Sequence, residues 1–306
     1  MTIIGTSTSA FYDRSTLDIG ALRARAEELQ QQLSQGEKLS RSSDDPLSAS
    51  RLRTLSRAGQ LSGIDMANAN RAASDLMLTD GALSSFTEYI IRAQELATQA
   101  ANGILTAAQR SGIGAELAQL HGNLVSLANA RDSAGHALFG GETPGDAYAV
   151  DGLGNASYIG TASAGEVPLG EGQSVSRGLT GPDFLDFTVN GNPTNLMAAV
   201  KALAEALQGG SPDPAGAARS ALDTLGAGLD AVTTSQTIVG TRLAWIDLTM
   251  ERRTELAELR SGEEAEIGGT DLAAGIAELQ QIMLVLEASQ ASFAKLASLS
   301  LFELIG

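Results

Sequence analysis

The sequence predicts a mainly α-helical protein in which a small β-rich domain interrupts the helical segments. Apolar residues spaced by three and four occupy both ends of the 306-residue chain, the pattern of helices that pack against a partner helix. Between residues 140 and 192 lie 12 of the 34 glycines and three of the seven prolines, among short alternating runs typical of strands. Only 4% of the residues are aromatic, which favours a core of Leu, Ala, Ile and Val, as in helical bundles.

A first helix is predicted over about residues 17–39, and it breaks at the segment Ser40–Pro46. The residues that share one of its faces are Leu22, Ala26, Leu29 and Leu33. Proline suits the first position of a helix, and the preceding Asp45 can accept hydrogen bonds from the free N–H groups of the first turn. Asp45 is therefore the predicted N-cap of a second helix. A paired acid–base role for Asp44 and Asp45 is the weaker interpretation of the same residues.

The second and third helices are predicted from residues that typically begin or end a helix. The second is very long, with a seam of mostly small residues, and Asn102-Gly103 is a natural stop for it. The third begins where Thr106 and Gln109 have the spacing of a capping box. It carries an unbroken apolar seam and ends near residues 131–135.

Short strands are predicted in the glycine-rich middle. The alternating runs are 147–150, 157–159, 166–169 and 184–189. Asp151-Gly152 and Asn190-Gly191 supply hairpin turn chemistry. A short helix over about residues 193–208 then leads back to the helical pattern.

The C-terminal helices carry the strongest periodicity. Apolar residues keep register from Leu222 to Met250, a polar break is expected over 261–269, and Thr270 is the expected cap of the final helix. The seam of that helix is Leu279, Ile282, Leu286, Ser289, Phe293 and Leu296. Two ends that both require partner helices indicate assembly rather than catalysis.

Charge and composition disfavour several classes of function. The net charge is −16, so neither nucleic acid nor an anionic membrane is an expected partner. The absence of cysteine removes disulfides, thiolate metal sites and cysteine nucleophiles. The first ten residues lack the basic and apolar parts of a cleavable signal peptide, and no stretch approaches the roughly 20 apolar residues of a spanning helix.

Candidate chemical residues are few. His121 and His136 have no second histidine or cysteine at ligand spacing. An acidic cluster around Gly268-Gly269 could loosely hold a hard cation, but a solvated charged loop is the stronger interpretation; its residues are Glu263, Glu264, Glu266 and Asp271. No nucleotide fingerprint or serine elbow is present. We therefore expect no enzyme activity, no metal and no cofactor.

Several segments, in order, resemble the flagellin superfamily and, within it, the hook–filament junction proteins. The segments are Leu39–Arg51, Leu127–Gly141, Val239–Leu243, Gly269–Ala273 and Ser298–Leu304. The Asp44-Asp45-Pro46 form is the part most similar to the junction proteins. The first eleven residues and most of the middle domain do not match the family's pattern.

The resemblance implies a fold. The N- and C-terminal segments would form a long antiparallel helical rod and coiled coil, with residues 1–40 and 271–306 as an inner terminal domain. Residues 41–139 and 193–270 would form the helical rod, and residues 140–192 would be a β-rich outer domain.

The resemblance also implies a function and binding partners. It implies a structural subunit of the bacterial flagellum, an adaptor ring of about eleven subunits between hook and filament, needed for filament attachment and motility. Its neighbours would be further copies of itself, a hook-associated protein on the hook side and flagellin on the filament side. Extracellular delivery would use flagellar type III export with a chaperone and without a cleaved signal peptide.

Two groups of residues are the predicted functional positions. The helix break and cap motif is Asp44, Asp45, Pro46 and Arg51. The predicted assembly contacts are Leu22, Leu29, Leu33, Leu279, Ile282, Leu286, Phe293, Leu296, Leu301, Phe302 and Leu304. Two alternatives remain, a short flagellin that forms the filament itself and a surface-binding module that uses the β-rich domain.

Overall fold

The computed structural model describes residues 4–38, 42–43, 45–132 and 134–305, with side chains between residues 10 and 296 of those ranges. It is mainly α-helical with short antiparallel hairpins in the middle of the chain, which confirms the predicted fold class. The helices are α1 (Ile4–Gln35), α2 (Pro46–Ala100), α3 (Ala107–Ala128), α4 (Pro182–Leu185), α5 (Leu196–Glu205), α6 (Pro214–Gly268) and α7 (Leu272–Ile305). The strands are β1 (Tyr148–Val150), β2 (Ala156–Tyr158), β3 (Glu166–Gly170), β4 (Gln173–Ser176), β5 (Asp186–Val189) and β6 (Asn192–Asn195).

The chain divides into two compact units. One contains Met1–Gln60 and Leu256–Gly306, and the other contains Leu61–Glu255. Both α2 and α6 contribute residues to each unit. The three-part division implied by the family resemblance remains a prediction.

In the unit Leu61–Glu255, α2 and α6 pack antiparallel, as two contacts far apart along the helices indicate. The Gln236 side chain donates to Ser84 Oγ at 3.2 Å, and Arg253 Nη1 lies 3.0 Å from Asp65 Oδ2. Helix α3 packs on α5 and the π-helical turn Ala206–Gly210 that follows it. At Gly114 a Cβ would lie 2.8 Å from the Ala204 carbonyl oxygen, so this close helix approach requires glycine.

Three phenylalanines join the hairpin region to the helices in one core. Phe86 on α2, Phe139 after α3 and Phe184 in α4 are all 0% exposed. The ring centroid of Phe184 lies 5.1 Å from that of Phe86 and 4.9 Å from that of Phe139. The hairpin residues Tyr148, Leu169 and Val175 belong to the same buried cluster.

Each hairpin pairs two strands, β1 with β2, β3 with β4 and β5 with β6. The predicted Asn190-Gly191 turn is confirmed, since both residues have positive φ, 50° and 82°, as a type I′ turn requires. Strand β4 was not predicted, because its residues Gln173–Ser176 show little apolar alternation beyond Val175.

Helix α1 differs from the expected span of 17–39 at both ends. It begins by Ile4 and ends at Gln35. Gly36 follows with φ 72° and donates its N–H to the Gln32 carbonyl, the usual left-handed helix stop. Between Gly5 and Leu17 the sequence contains no further glycine and no proline, so nothing there stops the helix from extending toward the N-terminus.

The predicted strand 184–189 is split in the structure. Pro182 opens the short helix α4, and the Asp183 carboxylate accepts from the Thr180 N–H at 2.7 Å. Only Asp186–Val189 remains a strand. The following helix starts at Leu196 rather than at 193, because Asn192–Asn195 pairs as β6 and Asn195 caps the helix.

The predicted break over 261–269 is also wrong. Helix α6 continues to Gly268, because a run of polar residues does not by itself terminate a helix. The cap of α7 is Asp271 rather than Thr270, since the Asp271 carboxylate accepts from the N–H groups of Ala273 and Ala274. The capping box of α3 at Thr106 and Gln109 is confirmed.

Candidate assembly site

The terminal helices α1 and α7 pack against each other in an antiparallel pair. Tyr12 meets Phe293 with ring centroids 5.4 Å apart, and Arg25 Nη2 lies 3.1 Å from Glu278 Oε1. Near the other end, a Cβ at Gly275 would meet the Leu33 side chain. Positions rise along one helix as they fall along the other, so the two predicted seams face each other within one chain.

The seam is only partly covered by this pairing. Leu29 is 3% exposed and Ala26 8%. The other seam residues that the structure describes, Leu22, Leu33, Leu279, Ile282, Leu286 and Phe293, are half-buried, and Leu296 is exposed. The side chains of Leu301, Phe302 and Leu304 lie outside the described residues. Two helices alone thus leave much of the apolar surface in water.

Further apolar side chains of α7 flank the seam on both sides. Leu272, Ile276 and Met283 are spaced by four and seven, lie on one flank and are about half exposed. Val285 lies on the other flank, on the same side as the seam residue Leu296, and both are exposed. This apolar flank surface, defined as Leu272, Ile276, Met283, Val285 and Leu296, exceeds what α1 covers.

Two shallow grooves follow the flanks. One, of about 560 Å³, is lined by α7 residues that include Met283, Leu286 and Gln290. The other, of about 370 Å³, is lined by both helices, with Phe11 and Ile19 opposite Val285. Grooves between apolar ridges are the geometry into which side chains of another helix pack.

The predicted break motif lies in the same unit. Asp45 stands directly before α2, and its Oδ1 accepts from the N–H groups of Leu47 and Ser48, each at 3.1 Å. These hydrogen bonds, above all the one donated by the Ser48 hydroxyl, hold the pKa of the Asp45 carboxyl below its ordinary value. Pro46 is the first residue of α2. Asp44 lies outside the described residues.

Arg51 makes a two-pronged ion pair with Glu263. Arg51 Nε lies 2.5 Å from Glu263 Oε1, and Nη2 lies 2.9 Å from Oε2. This hydrogen-bonded guanidinium lowers the pKa of the Glu263 carboxyl. The pair joins α2 to the part of α6 that was expected to be a break. Glu263 was missed as a structural residue because the sequence pattern assigned it to a solvated loop.

No metal-binding constellation is found in the described part of the chain. Among those residues there is no group of three His, Cys, Asp or Glu side chains that could hold a metal ion. Burial, and secondarily the Lys201 charge, lower the pKa of His121. His136 Nδ1 lies 3.6 Å from Asp132 Oδ2. Of the predicted acidic cluster, Glu263 is paired with Arg51 and Asp271 caps α7.

One helix within the described residues has the length and composition of a membrane span. The window Leu272–Leu296 has a mean hydropathy of 1.2 and is 6% buried. The sequence expectation that no stretch approaches such a helix is therefore wrong for α7. A single helix of this kind is weak evidence for a span, because helices that pack against other helices have the same composition.

Comparisons with known proteins agree with this arrangement. The bacterial flagellin N-terminal helical region matches residues 6–143. Flagellar hook-associated protein 3 of Escherichia coli (strain K12) is 28% identical over 97% of this chain and 98% of its own length. The resemblance to hook-associated protein 3, within the flagellin superfamily, is thus confirmed.

Solved structures show that the fold is shared. A Vibrio parahaemolyticus protein described as a flagellar hook-associated protein aligns with a TM-score of 0.68 and 23% identity, over 74% of this chain and 100% of that one. The flagellar junction protein FlgL of Legionella pneumophila aligns with a TM-score of 0.59 and 13% identity, over 72% of this chain and 100% of that one. Long helices with small inserted sheets are therefore an architecture common to this chain and hook-associated proteins.

Proposed function

We propose that this chain is a structural subunit of the bacterial flagellum that forms an adaptor ring at the junction of hook and filament. A structural role in the flagellum rests on the similarity to hook-associated protein 3 along nearly the whole of both chains. The one observation that carries the role of the site is the apolar flank surface of α7, which the single chain leaves in water. Assembly would cover it.

The partner on this surface is a terminal helix pair of a neighbouring subunit. About half of each of the Leu272, Ile276 and Met283 side chains remains exposed, and burying apolar area contributes roughly 25 cal/mol per Å². A helix laid along the grooves would gain this energy without opening the seam between α1 and α7. Identical subunits related by a rotation that closes form a ring, which the resemblance puts at about eleven copies.

Other partners follow from the same role. The ring would contact a hook-associated protein on its hook side and flagellin on its filament side. An export chaperone would cover the apolar termini before assembly, and delivery to the cell exterior would use the flagellar type III route. Catalysis, nucleic-acid binding and membrane binding are not part of the proposal.

The assembly surface is tested with a charge placed on it. Met283→Glu would put a carboxylate into the proposed interface, where an unpaired charge is strongly unfavourable. Ala291→Glu adds the same charge to the exposed face of α7 that carries Glu287 and Lys295, at a position outside the lining of both grooves, and serves as the matched control. We expect the first variant to be exported but to leave cells without attached filaments, and the second to support normal swimming. Equal swimming by both would contradict the proposed surface.

A deletion strain separates the junction role from the alternative of a short flagellin. Loss of a junction subunit leaves a hook and releases intact flagellin into the medium, whereas loss of the filament subunit releases none. Normal filaments on the deletion strain would overturn both. A surface-binding module predicts normal filaments together with loss of adhesion.

A further inference from the structure

The β3–β4 hairpin and its flanks, residues 165–178, form a strap that lies on the long helices of the unit Leu61–Glu255. Within the described residues its two strands pair only with each other. A two-stranded hairpin is at best marginally stable alone in water. The position of the strap therefore depends on the contacts that hold it to α2 and α6.

At one end the strap is held through its backbone. The Pro168 carbonyl accepts from Asn68 Nδ2 of α2 at 3.3 Å, and the Leu169 carbonyl accepts from Arg253 Nη2 of α6. Arg253 is itself buried and paired with Asp65. Side chains of both helices thus satisfy two consecutive backbone carbonyls of the strap.

At the other end Arg177 reaches from the strap to two carboxylates. Its Nε lies 3.0 Å from Asp75 Oδ2 on α2, and its Nη2 lies 2.8 Å from Asp132 Oδ2 after α3. Next to it, the Gly178 carbonyl accepts from Arg242 Nη1 of α6 at 2.7 Å. Three arginines therefore anchor the strap through charged or carbonyl contacts.

Apolar packing beneath the strap is incomplete. Of its apolar side chains, Leu169 and Val175 are buried, whereas Val167 is only half-buried. A cleft of about 660 Å³ separates part of the strap from α2, and its lining includes Arg71, Asp75, Glu166 and Arg177. Polar anchors around a cleft contribute less to closure than a packed apolar interface of the same extent.

We propose that the strap opens as one unit from α2 and α6 while the helices stay folded, and that the Arg177 contacts govern its closure. The device is a local conformational switch: Arg177 either bridges Asp75 and Asp132 or swings away with the strap. Segments with few buried side chains and charged anchors open at a free energy below that of global unfolding.

Thiol labelling of the full chain tests this directly, because the chain contains no cysteine. Val175→Cys places a thiol under the strap, and Val232→Cys places one in the 0% exposed core of α6, as the matched control. We expect Cys at 175 to react faster than Cys at 232, with a weak dependence on added urea. The thiol at 232 should react only with the steep urea dependence of global unfolding.

Arg177→Gln should accelerate labelling at 175 by about tenfold, the value of losing a charge-assisted hydrogen bond. Labelling at 232 should rise by no more than the same factor and should keep its steep urea dependence, because the lost contacts destabilise the closed state relative to every open state. Arg92→Gln breaks the exposed pairs of Arg92 with Glu95 and Glu116 and should change neither rate. Equal rates and equally steep urea dependences at both sites would overturn the strap. An unchanged labelling rate at 175 in Arg177→Gln would overturn the role of Arg177. If Val175→Cys fails to fold, amide exchange of 166–176 against 186–195 in the unaltered chain decides the same question.

Discussion

Phe184→Ala tests whether the hairpin region and the long helices share one core. Phe184 is fully buried and contacts both Phe86 of α2 and Phe139. Truncating a buried phenylalanine costs 3–5 kcal/mol, and two well-packed ring contacts place this site near the middle of that range, at about 4 kcal/mol. The whole unit Leu61–Glu255 should lose this stability, because α2 loses a packing partner together with α4.

Urea unfolding followed by two probes provides the measurement. Far-ultraviolet circular dichroism reports the helices, and the single tryptophan, Trp245 on α6, reports tertiary structure. Both midpoints should fall together by on the order of 1–2 M urea. Leu153→Ala, in a turn where the side chain is 78% exposed, is the control and should leave them unchanged. A helical transition that is unaltered in Phe184→Ala would refute the shared core and favour an independent β-rich domain.

Two further predictions concern the strap. Gly170→Ala should destabilise the protein by about 2–3 kcal/mol, because φ is +86° and a Cβ would collide with the Asp65 carboxylate and the Arg253 guanidinium. Gly172→Ala is the control: it is also at positive φ but has open space around it, so it should cost only about 1 kcal/mol. Equal losses of unfolding free energy in the two variants would contradict the close approach at Gly170. The second is a pH dependence: although burial acts to raise the pKa of Asp132, backbone N–H groups and Arg177 outweigh it and hold that pKa below its ordinary value of 3.8. The unfolded chain then binds more protons, so stability should fall as pH drops from about 4 through the lowered pKa, and Asp132→Asn should reduce that fall in an acid titration of the urea midpoint.

The helices were predictable because their signals are local. The Thr106–Gln109 capping box and the Asn190-Gly191 turn act through neighbouring residues, and both occur as predicted. The errors were of another kind. Ser261–Gly268 stays helical although it is polar, and Phe184 lies in a helical turn rather than in a strand. Polarity and alternation are indirect signals, which packing and local capping override.

Part of the candidate assembly site was also predictable from the sequence, and part was not. The 3–4 spacing of Leu279 and its seam neighbours predicted one apolar face on each terminal helix, and these faces are the ones that pair. The spacing did not reveal that Leu272, Ile276 and Met283 form an additional exposed flank. Which side chains of α7 stay exposed depends on which part of α7 is covered by α1, and this is known only once the two helices are packed together.

The sequence by itself determined that this is a mainly helical chain, where helices α2 and α3 begin, and which superfamily it resembles. Those features depend on residue period, caps and breakers, which act within a few positions. Tertiary structure alone decided which residues meet over long separations in sequence, such as Arg51 with Glu263 across 212 positions and Arg253 with the Leu169 carbonyl across 84. Long-range ion pairs leave no periodic trace in a single sequence, because each depends only on where two folded helices bring single side chains together.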